Sequence, residues 1–395
     1  MRDGWKEISL EELETSGVIK LGRGDVISKK DMEADPGPNP VYSSAENKNG
    51  MIGKYAKFMF DEELITWSVD GGGHIFYRPK HKFSVTNIGG WLRILDDKVF
   101  SYQFLTYALQ RLHKQHSFDW QHKAHPSVIR KLYTRIPLPS LSEQKRIVDL
   151  ISSVDSYIEA LQQQLEGAKR SRNAVLHELL TAGGDDWIET TLGEAAEVIM
   201  GRQLSPSKKL GTRPRPYIRA ANIGSWGINL EDIYEMDFTE IEEERFACQV
   251  GDTILVEGGN EKSVGCPALI TEKESGLCIQ NTVIRSRSRN SKALDPNFQY
   301  HLLRFMFWRG DFAQLCAGTT IMHLGQKRAE VVPISIPPLG EQLNIVDTIS
   351  KFDSAVTYSE ETLISAKSLR SGLLSDLLSG EHKIPASYDK VIGAA

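Results

Sequence analysis

Residues 136–180 read IPLPSLSEQKRIVDLISSVDSYIEALQQQLEGAKRSRNAVLHELL, and residues 334–378 read ISIPPLGEQLNIVDTISKFDSAVTYSEETLISAKSLRSGLLSDLL. Laid over one another without a gap, they match at Glu143 and Glu341, Asp149 and Asp347, Lys169 and Lys367, and Arg172 and Arg370. A constant register that carries polar as well as apolar residues marks an internal duplication. In each copy a proline, Pro139 or Pro337, keeps the chain extended before a Glu-Gln pair opens a helix. The first copy then places Ile147, Ile151, Val154, Ile158, Leu161, Leu165, Ala168, Arg172, Val175 and Leu179 at spacings alternating four and three. The second repeats the pattern with Ile345, Ile349, Phe352, Val356, Ser359, Leu363, Ala366, Arg370, Leu373 and Leu377. This is a coiled-coil heptad, and it predicts two helices of about 39 residues, roughly 58 Å long at 1.5 Å per residue. Val148, Leu150, Leu176 and Leu180 widen the apolar stripe and leave room beside the seam for another partner. Arg172 and Arg370, at one seam position in both copies, fit a register device, a charge for a partner, or a packed stem whose guanidinium reaches water.

The segments ahead of the helices echo one another less regularly. Trp5, Glu7, Leu10 and Glu12 correspond to Trp187, Glu189, Leu192 and Glu194, and Tyr42, Ala45 and Asn47 to Tyr217, Ala220 and Asn222. Asp70-Gly71-Gly72 aligns with Glu257-Gly258-Gly259, Thr86-Asn87 with Gln280-Asn281, and His125 with His323. The drifting offset implies loop insertions, the places where recognition surfaces diverge on a fixed scaffold. Short β-rich runs punctuated by Gly and Pro, with one helix near residues 101–114 and another near 296–308, indicate an α+β domain in each half. Asp295-Pro296 is a cap and first-turn pair for the latter helix.

At 395 residues the chain has room for two or three domains. Lys and Arg number 47 against 52 Asp and Glu, a net charge of −5, which excludes a uniformly basic DNA-coating protein. Charge is nevertheless segregated along the chain. Residues 199–219 carry Arg202, Lys208, Lys209, Arg213, Arg215 and Arg219 without an acid, whereas acids crowd into residues 231–244. Residues 71–95, 120–142 and 275–294 are also basic, so that local positive faces are expected in both halves. Cys248, Cys266, Cys278 and Cys316 lack zinc-ligand spacing and read as reduced thiols; no metal site is expected. No apolar run reaches membrane-spanning length and the first residues lack a signal-peptide layout, so a cytoplasmic protein is expected. A Walker A loop, a dinucleotide fingerprint and a methyltransferase Asp-Pro-Pro-Phe loop are each missing at least one defining residue: Gly53-Lys54 is followed by Tyr55, and Asp295-Pro296 by Asn297. Asp35 with Glu46 and Lys48 has nuclease-like spacing but lies in a polar turn.

The duplicated Ile-x-x-Pro-x-Leu-x-Glu-Gln-x-x-Ile-Val-Asp lead-in, Ile-Pro-x-Pro in the first copy and Ile-Ser-x-Pro in the second, with a Trp-x-x-x-x-Leu start to each half, resembles the specificity subunit of Type I restriction-modification systems. The resemblance implies a target recognition domain at residues 1–140, a spacer helix at 141–182, a second recognition domain at 183–338, a second helix at 339–381 and a tail at 382–395. It further implies that the two helices pair as an antiparallel coiled coil, and that the chain itself is non-catalytic. The implied partners are double-stranded DNA with a split target, modification subunits numbering two, and, where present, restriction subunits. S-adenosylmethionine is expected on the modification subunits, and no cofactor on this chain. DNA contacts are expected at Ser43, Ser44, Asn47, Lys48, Asn49, His74, Arg78, Lys80 and Asn87 in the first domain. In the second they are expected at Arg202, Arg219, Asn222, Trp226, Asn260, Lys262 and Asn281. Asn and Arg suit base edges, and Lys suits phosphates. Subunit docking is expected on Val148, Leu176, Val346 and Leu374, with Arg172 and Arg370. Two readings from other classes are a coiled-coil protein whose globules bind protein, separable by salt-dependent DNA binding, and a self-contained methyltransferase, separable by S-adenosylmethionine binding.

Overall fold

The computed structural model describes residues 5–44, 48–70, 74–118, 122–204, 212–224, 227–316, 321–385 and 387–388. It divides into two compact units, residues 1–163 with 361–395, and residues 164–360. Each unit takes one globule and one end of both long helices, Leu141–Thr181 and Leu339–Ser379. At 41 residues each helix runs about 62 Å.

In the first unit, six strands lie in the spatial order Ile19–Arg23, Gly89–Ile94, Phe60–Ser68, Ile75–Val85, Asn39–Tyr42, Met51–Tyr55. Neighbours are antiparallel except Asn39–Tyr42, which runs parallel to Ile75–Val85. The helix Tyr102–His113 starts at Ser101, whose hydroxyl accepts from the Phe104 N–H. Its Phe104, Leu105, Ala108 and Leu109 bury against Ile65, Trp67 and Leu92 of the sheet. The second unit repeats the plan with Ala196–Met200, Val283–Ser288, Thr253–Val256 and Pro267–Leu269 in one sheet. A parallel pair, Pro214–Ile218 beside Cys278–Ile279, stands in the place of the parallel pair of the first unit. Its helix Pro296–Arg309 is capped by Asp295, and the chain leaves it through Gly310 at φ 84°.

The lead-in to each long helix is a strand paired with the Trp-x-Glu strand of its own copy. Lys6–Ile8 pairs with Ile136–Leu138, and Ile188–Thr191 with Pro333–Ile336. Behind each ribbon lies a cleft built from equivalent positions. The first, about 210 Å³, includes Trp5, Glu7, Arg111 and Ser379, and the second, about 300 Å³, includes Trp187, Glu189, Phe305 and Thr181.

The heptad reading holds. In the first helix Ile147, Ile151, Ile158, Leu165 and Arg172 are buried, and in the second Ile345, Ile349, Val356, Leu363 and Leu377. Within the first unit, Ile147 and Ile151 share a core with Leu377 and Leu378, while Asp155 meets Arg370; within the second, Leu176 and Leu180 share a core with Ile345 and Ile349, while Arg172 meets Asp353. Rising numbers on one helix face falling numbers on the other, so the helices pair antiparallel. The widened stripe, in contrast, is not a vacant docking face. Val148 and Leu176 are buried in the cores of their own units, and Leu374 and Val346 pack against those same cores. These residues seat the globules on the helices, because an apolar stripe wider than a two-helix seam is covered first by the chain that carries it.

The seam arginines are likewise spoken for. Arg370 donates Nε and Nη2 to Asp155 at 2.7 and 2.9 Å. Arg172 reaches Asp353 at 3.2 Å, and Arg304 binds the same carboxylate at 2.7 Å. Both guanidiniums of that cluster lie over Trp308.

Candidate nucleic-acid interface

Both units build one junction at the end of the parallel strand pair. In the first, Gly24 N–H donates to Gly89 O at 3.1 Å, Asp25 N–H to Val85 O at 3.1 Å, and Thr86 N–H to Tyr42 O at 2.9 Å. In the second, Gly201 N–H donates to Val283 O at 3.0 Å, Arg202 N–H to Ile279 O at 2.9 Å, and Gln280 N–H to Ile218 O at 3.0 Å. The crossing needs glycine: a Cβ would stand 1.9 Å from Val85 O at Gly24 and 2.3 Å from Gln280 O at Gly201.

These bonds fix the correspondence between copies. Asp25 stands where Arg202 does, Ser43 where Arg219 does, Thr86 where Gln280 does, and Asn87 where Asn281 does. The sequence pairing of Tyr42 with Tyr217 is therefore off by one: Tyr42 corresponds to Ile218. Asp70 corresponds to Gly258, since Val69 N–H binds Ile88 O as Glu257 N–H binds Thr282 O, and the next bonds match Ala124 to Leu324, so His125 corresponds to Gly325. Asp25, Thr282 and Gln280 were not among the expected contacts. The signal for the first was the pair of stretches 24–28, GDVIS, and 201–205, GRQLS, which share their glycine and serine.

The junction gathers several expected residues and withdraws others. Ser43 is buried, its hydroxyl 2.7 Å from that of Thr86, and Ser44 is half-buried. Lys48–Gly50 forms a 3-10 turn with Asn49 exposed at φ 53°. Asn87 is half-buried, and its carbonyl accepts from Arg23. His74 is exposed with its ring 6.2 Å from that of Phe76, and Lys80 is exposed midway along Ile75–Val85. Asn281 is half-buried and donates its N–H to Arg202 O at 3.0 Å. Arg219 pairs with Asp232 and lies 4.1 Å over the Tyr234 ring. Asn260 and Lys262 are exposed, although the Asn260 side chain already accepts the Lys262 N–H at 3.0 Å. Asn47 and Trp226 lie outside the described residues.

Arg78, Arg202 and Asn222 are corrections to the expected contact surface. Arg78 is 4% exposed, and Arg202 is buried with Nε donating to Glu242 at 2.8 Å. Asn222 is buried as an internal clasp. Its Oδ1 accepts from the Arg219 N–H at 3.0 Å, and its amide donates to Asn229 O and Asp232 O. The basic stretch 199–219 is corrected with them, because the fold returns the acids to it. Arg213 binds Glu240 and Glu243, Arg215 binds Glu243, and Arg219 binds Asp232. The hydrogen bond from Arg202 pulls the Glu242 carboxyl down to about 2. Arg285 and Arg287 are matched in the same way by Glu197 and Asp252. Burial pushes the thiols of Cys248, Cys266 and Cys278 upward, as for inert core cysteines. Among the described residues no cluster of His, Cys, Asp and Glu could hold a metal, and no helix is long and apolar enough to cross a membrane.

The Type I restriction modification DNA specificity domain matches this chain twice, over residues 3–170 and 184–366. The chain belongs to that family. A Mycoplasma pneumoniae protein named as a type I specificity subunit is 34% identical over 148 residues, covering 36% of this chain and 47% of the relative. The chain thus spans about half the length of several such relatives. The Methanocaldococcus jannaschii MjaVIII specificity subunit is 19% identical over 382 residues, covering 87% and 86% of the two chains. The crystal structure of an S subunit from M. genitalium shares the fold at a TM-score of 0.54 and 17% identity, covering 94% of this chain and 96% of the other.

Proposed function

We propose that this chain is the non-catalytic specificity subunit of a Type I complex: each unit reads one half of a split DNA target, and separate subunits methylate adenine there. The observation that carries this reading is the shared junction with exchanged side chains. The backbone bonds recur in both units while the exposed Asp25 gives way to Arg202, which turns inward onto Glu242, Ser43 to Arg219 and Thr86 to Gln280. A constant scaffold with diverged chemistry at one loop cluster is what two different half-sites require. Asn49, Asn87, Arg219, Gln280 and Asn281 supply donors and acceptors for base edges, and Lys80 and Lys262 charge for phosphates.

S-adenosylmethionine belongs, in this reading, to two modification subunits, and motor-nuclease subunits add cleavage, all in the cytoplasm. With Val148 and Leu176 inside the chain, docking shifts to exposed apolar positions of the helices such as Tyr157, Ile364 and Leu369. Purified chain supplied with S-adenosylmethionine and DNA is expected to bind DNA more weakly as salt rises, and to transfer no methyl group. Methylation is expected once the modification subunit is added. Methyl transfer by the chain alone overturns the division of roles.

A further inference from the structure

Arg78 is a buried cation in an unusual setting. Its Nε donates to Thr66 Oγ1 at 2.8 Å and its Nη2 to Asn49 O at 2.7 Å. The guanidinium sits 3.6 Å over the Tyr42 ring and 4.6 Å over that of Phe76. Among the described residues no carboxylate binds it, unlike the buried Arg202 and Arg285. Burial draws its pKa down to about 10, which leaves it charged at neutral pH. Burying a guanidinium on neutral partners such as Thr66 Oγ1 and Asn49 O is costly unless something is gained by it.

The second copy shows that the fold does not need it. Counting from the shared junction, Ser68 opposite Gly89 matches Val256 opposite Val283, so Thr66 corresponds to Ile254. On the partner strand Trp67 faces Ile75 as Leu255 faces Pro267, and three residues further Arg78 corresponds to Ile270. Ile254 and Ile270 are both fully buried. The same two scaffold positions therefore hold a Thr-Arg pair in one unit and an Ile-Ile pair in the other.

What Arg78 adds is a grip on the Asn49 turn. The loop closes through Ser43 N–H to Gly50 O at 2.8 Å, and Asn49, the residue at φ 53°, offers its carbonyl to Arg78. A left-handed asparagine is tolerated but not strongly preferred, so an external hydrogen bond to its carbonyl helps hold the Asn49 turn. We propose that Arg78 is a positioning residue for sequence discrimination: it fixes the Asn49 turn so that the first unit, and only the first, presents a rigid reading surface to its half-site. This rests on the DNA-reading role proposed above. The planar guanidinium holds both acceptors in one fixed geometry while lying flat on the Tyr42 ring, which the compact ammonium of a lysine does not reproduce.

The test uses the full chain with its modification subunit and a library of duplexes randomised over the target length, which first defines both half-sites for the native protein. Thr66→Ile with Arg78→Ile installs the pair that the second unit already tolerates, and Arg78→Lys keeps the charge while removing the fork. Both variants are expected to lose tenfold or more in preference for the native first half-site over single-base changes, with second half-site preference within twofold of native. Either folded variant discriminating at the first half-site within twofold of native overturns the inference. If the double substitution does not fold, Arg78→Lys alone decides it. Absence of sequence preference in the native complex rejects the DNA-reading role instead.

Discussion

One amide at the start of each long helix does the work of three hydrogen-bond partners. Gln144, fully buried, accepts the Ser101 N–H at 2.9 Å and donates to Val99 O at 2.8 Å and Pro139 O at 3.1 Å. Gln342 accepts the Asp295 N–H at 2.7 Å and donates to Ala293 O and Pro337 O at 2.8 Å each. Each glutamine thereby ties the cap of its globule's helix to the first turn of a long helix. Gln144→Ala or Gln342→Ala strands buried polar groups and is expected to cost about 2 to 3 kcal/mol, read as a lower urea midpoint. A loss below about 0.5 kcal/mol contradicts the clasp. His301 adds a pH dependence: burial, with the Arg304 guanidinium next in effect, draws its pKa down to about 4, and its Nδ1 has no partner among the described residues. The unfolded chain takes up this proton near pH 6.5 and the folded chain only near 4, so stability falls as pH drops through that window. His301→Gln should flatten the slope of the urea midpoint between pH 6.5 and 4.5; an unchanged slope removes His301 as its source.

At the scale of elements, the long helices were legible because a heptad needs only local spacing, and because burial at Ile151, Ile158, Leu165 and Arg172 follows a strict seven-residue step. Which face of the stripe meets the globule was not legible, since Val148 and Leu176 look the same in sequence whether a neighbour is internal or external. The seam carboxylates separate by environment. Asp353 holds Arg172 and Arg304 together, whereas Asp155 holds Arg370 alone and is more exposed. Asp353→Ala leaves two arginines facing one another and is expected to cost about 2 to 3 kcal/mol, after allowance for partial exposure; Asp155→Ala should cost about 1 kcal/mol. Equal losses in thermal or urea unfolding contradict the assignment of Asp353 as a shared counter-ion.

For the whole molecule, the duplication fixed the fold class, and the four-three spacing located both helices. The proposed reading surface was only half legible. Asn87 and Asn281 were matched because their correspondence survives in sequence, the Ser43 and Arg219 loops only to within one residue, and the structure brings each group to one junction. The basic stretches misled, because linear segregation of charge says nothing about pairing across a fold that returns Glu242 to Arg202 and Glu243 to Arg215. In the proposed DNA-reading role, positive potential comes from few groups at the junctions rather than from broad faces. The central claim is that the two units read DNA independently, from one scaffold with two chemistries. It is tested most directly by replacing residues 187–330 with the corresponding segment of a relative and sequencing the methylated motif in cells that carry the modification subunit. The account predicts a motif in which one half changes and the other is kept; a change in both halves, or in neither while methylation persists, contradicts it.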